Sequence, residues 1–454
     1  MSSRTVKRLT LVASILGSGI TFLDATVINV ALPSITRDLG GGLTAQQWVV
    51  DAYLLTLGSL ILVGGSLGDL YGERRIFGLG VAGFGIASVL CALAPSSNFL
   101  IAARGVQGIF GALLTPSSLA VIAATFEGEE RGAAIGTWTA WSGISTVVGP
   151  LFGGWLLGVA SWRWIFLINV PLVAATLAVV LAVVPGRAPT EARGRVDFVG
   201  AVLCVLGLGG TVFAFIEQPH LGWGHPAIDG SLGLGVVLFA LFLVWEARAR
   251  HPMLPLRLFL RRNFTVTNLE TLMVYAGLST LTFFLVIYLQ QTVGYSPFES
   301  GLALLPATII LFGLSRLVGR LSMRFGPRLF MGAGPILAGL GLLPLVRLGR
   351  HADYWTDLLP PVVVFSLGLA LTVAPLTATV LADAGRGDAG IASGVNNAVA
   401  RVAGLLGIAL IGLAANRANR LDAHGFHLAM LITAALVLAG GLIGALGIRN
   451  PRRS

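Results

Sequence analysis

The amino-acid sequence predicts an all-α, polytopic membrane protein of fourteen helices, on three observations. Of its 454 residues, 55% are hydrophobic and only 11% charged, whereas soluble domains carry about a quarter charged residues. Apolar stretches long enough to cross roughly 30 Å of hydrocarbon recur along the whole chain. Sixty glycines suit many helices packed in lipid, because small residues let neighbouring backbones approach closely.

The apolar stretches fall near 9–32, 46–66, 76–94, 98–124, 132–157, 163–184, 197–216, 229–246, 264–289, 300–320, 329–346, 358–381, 389–413 and 427–447. The first follows Arg4, Lys7 and Arg8 but is too long for a signal peptide and lacks a small-residue cleavage site, so it is expected to be retained. With the N-terminus inside, twenty-two Lys and Arg residues lie on inner segments and six on outer ones, leaving Arg104 and Arg401 within helices. That asymmetry predicts two cytoplasmic termini.

Composition also excludes whole classes of function. The net charge of +10 is spread in short clusters between spans, so no nucleic-acid partner is expected. Lys7 is the only lysine, which rules out the GxxxxGK[ST] loop of a transport ATPase in this chain. Energy must therefore come from an ion gradient, a substrate gradient or a separate subunit. Cys91 and Cys204 sit inside apolar runs and are assigned neither disulfide nor metal. His220, His225, His251, His351 and His424 fall in connecting segments and His427 at a helix edge, which offers no metal site or histidine relay. An enzyme would need clustered His, Cys or paired carboxylates at one depth. None is expected, nor is a cofactor.

An internal echo predicts duplication. Residues 65–75, GSLGDLYGERR, follow the second span, and 319–329, GRLSMRFGPRL, follow the tenth, at an offset of 254 residues. The chain then divides into an N-terminal six-helix half (1–184), a linker carrying two extra helices (185–263) and a C-terminal six-helix half (264–454). The stretch 247–263, rich in arginine with an apolar face, could lie along the inner membrane surface.

Several motifs stand in order along the first half: 23–33 (LDATVINVALP), 65–75, Arg104 through Gly108 (RGVQG), 143–154 with Gly149-Pro150, and 161–171 (SWRWIFLINVP). They resemble the major facilitator superfamily, in particular its fourteen-helix drug:proton antiporters, over essentially the whole chain. The resemblance implies a major facilitator fold of two six-helix halves plus two extra helices. It further implies a secondary active transporter in the cell membrane that exports small hydrophobic or amphipathic drugs or antibiotics in exchange for protons by alternating access. A uniporter or proton symporter of the same fold, importing a metabolite, is the alternative. The expected partners are a small-molecule substrate, protons and membrane lipid, and the protein is expected to act as a monomer.

The residues give these roles a physical basis. Asp24 lies roughly 22 Å from the inner end of the first span at 1.5 Å per residue, where a carboxylate is costly unless protonated or paired. Arg104 lies roughly 9 Å below the outer surface on the fourth span, a depth compatible with contact or a water-bridged relay. Asp24 is either permanently paired and structural, or a proton- or substrate-binding group coupled to Arg104. Asn29, Gln107 and Asn169 are further polar groups that either glue helices together or line the pathway. At the end of the second span, Gly65, Gly68 and Gly72 allow a tight turn and close approach to the other half, beside Asp69, Arg74 and Arg75. The resemblance implies a cytoplasmic gate there, latched by Asp69; its echo position is Met323, so any latch is one-sided. On the fifth span, Gly136, Ala140, Gly143, Gly149, Pro150, Gly153 and Gly154 form a run of small residues suited to close packing. The resemblance implies that this packing seals the pathway against proton leak. In the second half Glu270 is an intramembrane acid by these boundaries. Arg401, near Asn396 and Asn397, could meet carbonyls or an acid such as Glu270, or snorkel inward. Asp51 is expected at the outer mouth.

Overall fold

The structure, a computed structural model, describes residues 3–184, 196–384 and 388–450. The side chains of 140 and 142–147 are also outside the description, which leaves Gly143 untreated. So are Arg187, Arg193, Arg195, Arg386, Arg452 and Arg453, part of the charge asymmetry noted above.

Every predicted span is found as helix. The first half holds α1 (Ser3–Leu39), α2 (Gly42–Tyr71), α3 (Glu73–Ala92), α4 (Ser97–Thr125), α5 (Gly128–Val159), and the pair α6 (Trp164–Leu167) and α7 (Asn169–Ala182). Next come α8 (Phe198–Leu221) and α9 (Pro226–Arg248). The remainder is α10 (Arg262–Tyr288), α11 (Pro297–Ala303) with α12 (Leu305–Phe325), α13 (Pro327–Leu342), α14 (Leu359–Ala384), α15 (Ala389–Ala415) and α16 (Ala423–Gly447). Thirteen of these helical stretches are long and apolar enough to span a membrane, and the fourteenth, α5, contains the shorter apolar stretch Val148–Val159. The chain is a multi-pass membrane protein.

Local chemistry explains the departures from simple rods. Proline has no N–H to donate four residues back, so the sixth span breaks after Leu167, four residues before Pro171. The tenth breaks at Leu304, and Pro306 then falls in the first turn of α12, where a missing N–H costs nothing. One feature is not helical: Asn416–Arg417 pairs antiparallel with Arg420–Leu421, its tight link carried by Ala418 and Asn419 at positive φ. The arginine-rich stretch after α9 contains a short 3-10 turn, Leu256–Leu260. Three arginines here are engaged by protein: Arg257 donates to Asp388 at 2.9 Å, Arg261 to the Asp383 carbonyl and Arg262 to the Gly447 carbonyl at 2.7 Å.

The chain packs as two units, one of 1–210 with 233–254, the other of 211–232 with 255–454. In the first, α2 and α4 approach until backbones touch. A Cβ on Gly64 would lie 2.1 Å from the Ala112 carbonyl oxygen, and one on Gly108 would lie 2.4 Å from that of Tyr53. In the second, Gly368 of α14 presses on Ala338 of α13 in the same way, at 2.3 Å from its nitrogen. Lipid gives apolar side chains no reason to leave it, so contact of this kind, with its dispersion energy, holds helices together.

The sequence echo is a structural echo. Gly72 (φ 93°, ψ 130°) and Gly326 (φ 86°, ψ 151°) occupy equivalent positions between α2 and α3 and between α12 and α13. Each donates its N–H four residues back at 2.9 Å, to Gly68 and Ser322. Arg74 then donates to the Leu181 carbonyl at 2.6 Å near the end of α7, and Arg328, at the matching offset, to the Ala445 carbonyl at 2.7 Å near the end of α16. Both arginines cap carbonyls at a helix C-terminus, where the helix dipole welcomes a cation.

Side chains rarely adopt the Gly72 backbone, so Gly72→Ala is expected to cost about 1–3 kcal/mol. Gly105→Ala, in α4 where a Cβ meets open space, is expected to leave stability unchanged or slightly raised. Thermal unfolding of the purified protein checks both.

Candidate functional site

The deepest polar cluster of the first unit is built from α1, α2, α3, α4 and α7. Arg104 on α4 and Asp24 on α1 form an ion pair, Nη1 to Oδ2 at 2.5 Å, with both side chains essentially sealed from solvent. The same Nη1 donates to Gln107 Oε1 at 2.7 Å, and Arg104 Nε donates to the Val49 carbonyl of α2 at 3.1 Å. The other carboxylate oxygen, Asp24 Oδ1, accepts from Gln107 Nε2 at 3.0 Å and from Asn169 Nδ2 at 3.2 Å. Both amides also donate to Ser88 Oγ of α3, at 3.0 and 3.2 Å, and the Ser88 hydroxyl donates to the Phe84 carbonyl at 2.8 Å. Cys91 Sγ lies 3.6 Å from Gln107 Oε1. Arg104 Nη2 has no hydrogen-bond acceptor. Instead the guanidinium carbon stands 4.3 Å from the centre of the Tyr53 ring and 5.9 Å from that of Phe166, whose faces carry negative potential.

Local sequence explains this convergence. Arg104 and Gln107 are three residues apart, one turn along one face of α4. Asn169 opens α7 because Pro171 breaks the span before it, which turns the amide inward. Trp162 in the preceding turn donates to Asp38 Oδ2 at 2.8 Å and Arg163 lies 3.8 Å from the same carboxylate, tying that turn to the end of α1. A carboxylate and a guanidinium sealed in this way stabilise one another only if their remaining lone pairs and protons are met. The amides of Gln107 and Asn169 and the Tyr53 ring meet most of them. Within this cluster Asp24 is the counter-ion that Arg104 meets.

The fifth span packs on the helix that carries this carboxylate. A Cβ on Gly149 of α5 would fall 2.1 Å from Thr26 Oγ1 and 3.4 Å from the Leu23 carbonyl, and one on Gly153 2.9 Å from Val27 Cγ1. Residues 23, 26 and 27 flank Asp24 on α1, so the small residues of α5 bear on the stretch of helix that carries it. Gly154 is buried and Pro150 half-buried in the same run. Gly136 behaves differently from the expectation: it is exposed, with nothing within 4 Å of an added Cβ.

Other expected residues fall elsewhere. Asn29 is half-buried and is not a member of the cluster. Gly65 and Gly68 face α4, 3.9 Å from Pro116 Cβ and 3.5 Å from Ser117 Oγ, so their small size serves packing within the first unit. Asp69 and Arg75 are exposed, and Arg74 is occupied with the Leu181 carbonyl. Asp51 is not a mouth residue. It is fully buried about 13 Å along α2 from Gly42, and neither carboxylate oxygen has a hydrogen-bond partner. In the second unit Glu270 is likewise fully buried and both its oxygens lack partners; Oε2 lies 2.6 Å from where a Cβ on Gly444 would stand. Arg401 does not pair with it. Its guanidinium is within electrostatic reach of Tyr275. Asn396 joins Asn268 and Thr271 at 3.2 and 2.8 Å, and Asn397 turns to the Ser393 carbonyl.

Ser88, Tyr53 and the Val49 carbonyl were not foreseen. A serine in mid-span is a weak signal, since it can satisfy itself on its own helix. An aromatic ring or a carbonyl gives no sequence sign of what it will face.

A family profile described as Major Facilitator Superfamily matches residues 14–408. A puromycin resistance protein of Streptomyces alboniger is 39% identical over 398 residues, covering 86% of this chain and 78% of that protein. A methylenomycin A resistance protein of Streptomyces coelicolor is 34% identical over 433 residues, 95% and 90% of the two chains. A tetracenomycin C resistance and export protein of Streptomyces glaucescens is 34% identical over 411 residues, 89% and 75%. Among solved structures, a POT family transporter in complex with a thioalcohol-conjugated peptide aligns with a TM-score of 0.73 at 14% identity, over 97% of this chain and 95% of that one. That likeness is one of fold.

Two outcomes test the site's architecture by thermal unfolding. Arg104→Ala leaves a buried uncompensated carboxylate and is expected to cost about 3–5 kcal/mol. Adding Asp24→Asn should recover part of that loss, whereas additive losses would mean the pair does not interact. Gly149→Leu drives a side chain into Thr26 and is expected to cost about 1–3 kcal/mol or more, while Gly136→Leu should stay within about 0.5 kcal/mol.

Proposed function

Because the chain belongs to the major facilitator superfamily, we propose that it is a secondary active transporter in the cell membrane exporting small hydrophobic or amphipathic drugs or antibiotics in exchange for protons. The observation that carries this reading is the buried Asp24–Arg104 pair with its shell of amides. Relatives whose names record antibiotic resistance or export support the direction and the substrate class.

In this reading the first half spans 1–184, the extra helices lie within 185–263 and the second half spans 264–454, with both termini in the cytoplasm. The halves alternate access to a central site, with no enzymatic step, and the protein acts as a monomer. A proton reaching Asp24 from outside neutralises the carboxylate. Arg104 then keeps Gln107, the Val49 carbonyl and the Tyr53 ring but loses its counter-ion. That loss makes the packing of α1 against α4 sensitive to protonation, and α5, bearing on α1 through Gly149 and Gly153, senses the same helix. Asp69 with Arg74 and Arg75 at the turn after α2 forms the cytoplasmic gate.

Asp24→Asn mimics the permanently protonated side chain. Proton-driven uphill export in vesicles with an imposed pH gradient is expected to vanish, while substrate counterflow without a gradient survives. A potential of about 100 mV supplies about 2.3 kcal/mol per charge moved, so the loss should appear as abolished accumulation and not as a slower approach to the same level. Uphill export by Asp24→Asn at the parent rate would make Asp24 structural.

A further inference from the structure

The helix α12 carries Arg316, Arg320 and Arg324 at a spacing of four residues, so all three share one face. All are exposed. Charge near a helix end is ordinary for a cytoplasmic boundary, but this row does not stop there. Arg316 lies nine residues from Phe325, the last residue of α12, which is about 14 Å into the span. A long side chain can snorkel from Arg324 or Arg320 more readily than from Arg316. Arg324 stacks on the neighbouring Phe325, 5.4 Å from guanidinium carbon to ring centre. Arg316 and Arg320 make no hydrogen bond or ion pair with any described residue.

Among the described residues, no acid of α12 or of its neighbours α13 and α14 pairs with Arg316 or Arg320. The helix α12 contains no acidic residue. The α14 helix packs beside α12, where a Cβ on Gly319 would lie 4.0 Å from the Ala374 Cβ, and the residues of α12 that are buried are Val318 and Ser322. The single acid of α14, Asp383, accepts the Phe264 N–H at 2.8 Å instead. Deeper along the same face, one and two turns beyond Arg316, stand Phe312 and Ile309, 44% and 61% exposed. Gly313 beside them leaves open space. The face is therefore apolar at depth and basic toward its end. Charge carried this far along a spanning helix is a candidate for a functional site.

We propose that this face of α12 binds a small transported amphipath through an acidic group, a carboxylate, sulfonate or phosphate, held by Arg316 and Arg320, with its apolar body along Phe312 and Ile309. Guanidinium groups suit this chemistry because their paired donors match the geometry of such anions. A membrane lipid has the same chemistry, but its headgroup stays at the interface, while Arg316 lies well inside; a mobile solute can reach it. The proposal deepens the export reading by naming a substrate class, and it rests on that reading for the word transported.

Binding is measured by isothermal titration on the purified full-length protein in phosphatidylcholine nanodiscs, using 1-naphthalenesulfonate and 1-naphthylmethylammonium, one ring with opposite charges. The sulfonate is expected to bind the parent, and Arg316→Gln to weaken it about tenfold or more, the loss of one charge-assisted bond. Arg316→Lys should retain most of the affinity, which separates lost charge from lost fold. Binding of the ammonium compound should not fall in either variant. The proposal is overturned if the parent does not bind the sulfonate, or if Arg316→Gln/Arg320→Gln binds it as the parent does. It is also overturned if replacing the phosphatidylcholine with phosphatidylglycerol abolishes sulfonate binding, because a lipid headgroup then occupies the arginines. No gradient is used, so failure of proton coupling in Asp24→Asn leaves these outcomes readable.

Discussion

A carboxylate and a guanidinium taken out of solvent together are the constraint on which the first unit depends. The desolvation of either ion costs several kcal/mol, so Asp24 and Arg104 hold one another only because α2, α3 and α7, with Gln107 of α4, supply matching groups. Gln107 and Asn169 saturate one carboxylate oxygen, the Val49 carbonyl takes the guanidinium Nε–H, and the Tyr53 ring covers the face that no acceptor reaches. Removing a single charge from this set changes the balance on α1, α4 and α7 at once. That makes the cluster a structural keystone of the first unit.

Small residues set how close the helices come, and thereby where the charges stand. Gly64 and Gly108 bring α2 and α4 into backbone contact, which delivers the Val49 carbonyl and the Tyr53 ring to Arg104. Gly149 and Gly153 bring α5 onto the turn of α1 that bears Asp24. The second unit uses the same method at Gly368 and Gly277, the latter against Val437. Its buried acid is left differently, however: Glu270 has no hydrogen-bond partner where Asp24 has several. The two units thus share a packing scheme and a turn, at Gly72 and Gly326, while differing in how they treat an intramembrane carboxylate.

How much was legible depends on the range of the interaction that decided each feature. The fourteen spans follow from hydrophobic runs, which any local window detects. The break before Asn169 follows from Pro171, and the turn at Gly72 from the absence of a side chain. The pairing of Asp24 with Arg104 could be framed from matching depths and from the resemblance of their motifs, though not as a bonded fact. Misplacement came where partners are remote in sequence. Asp51, near a span end by count, is buried because neighbouring helices cover it, and Gly136, small and therefore a candidate for packing, faces open space.

By itself the sequence determined the class of the protein, its spans, its duplicated turn and the identity of its intramembrane charges, because transfer into hydrocarbon and backbone sterics act residue by residue. The tertiary structure alone decided which of those charges are paired. Arg104 acquired a carboxylate from α1, a carbonyl and an aromatic face from α2 and the Gln107 amide oxygen on its own helix, Glu270 acquired no hydrogen-bond partner, and Arg316 and Arg320 were left exposed along one side of α12. Electrostatic energy depends on distances and on the medium between groups, and neither exists until the helices have packed.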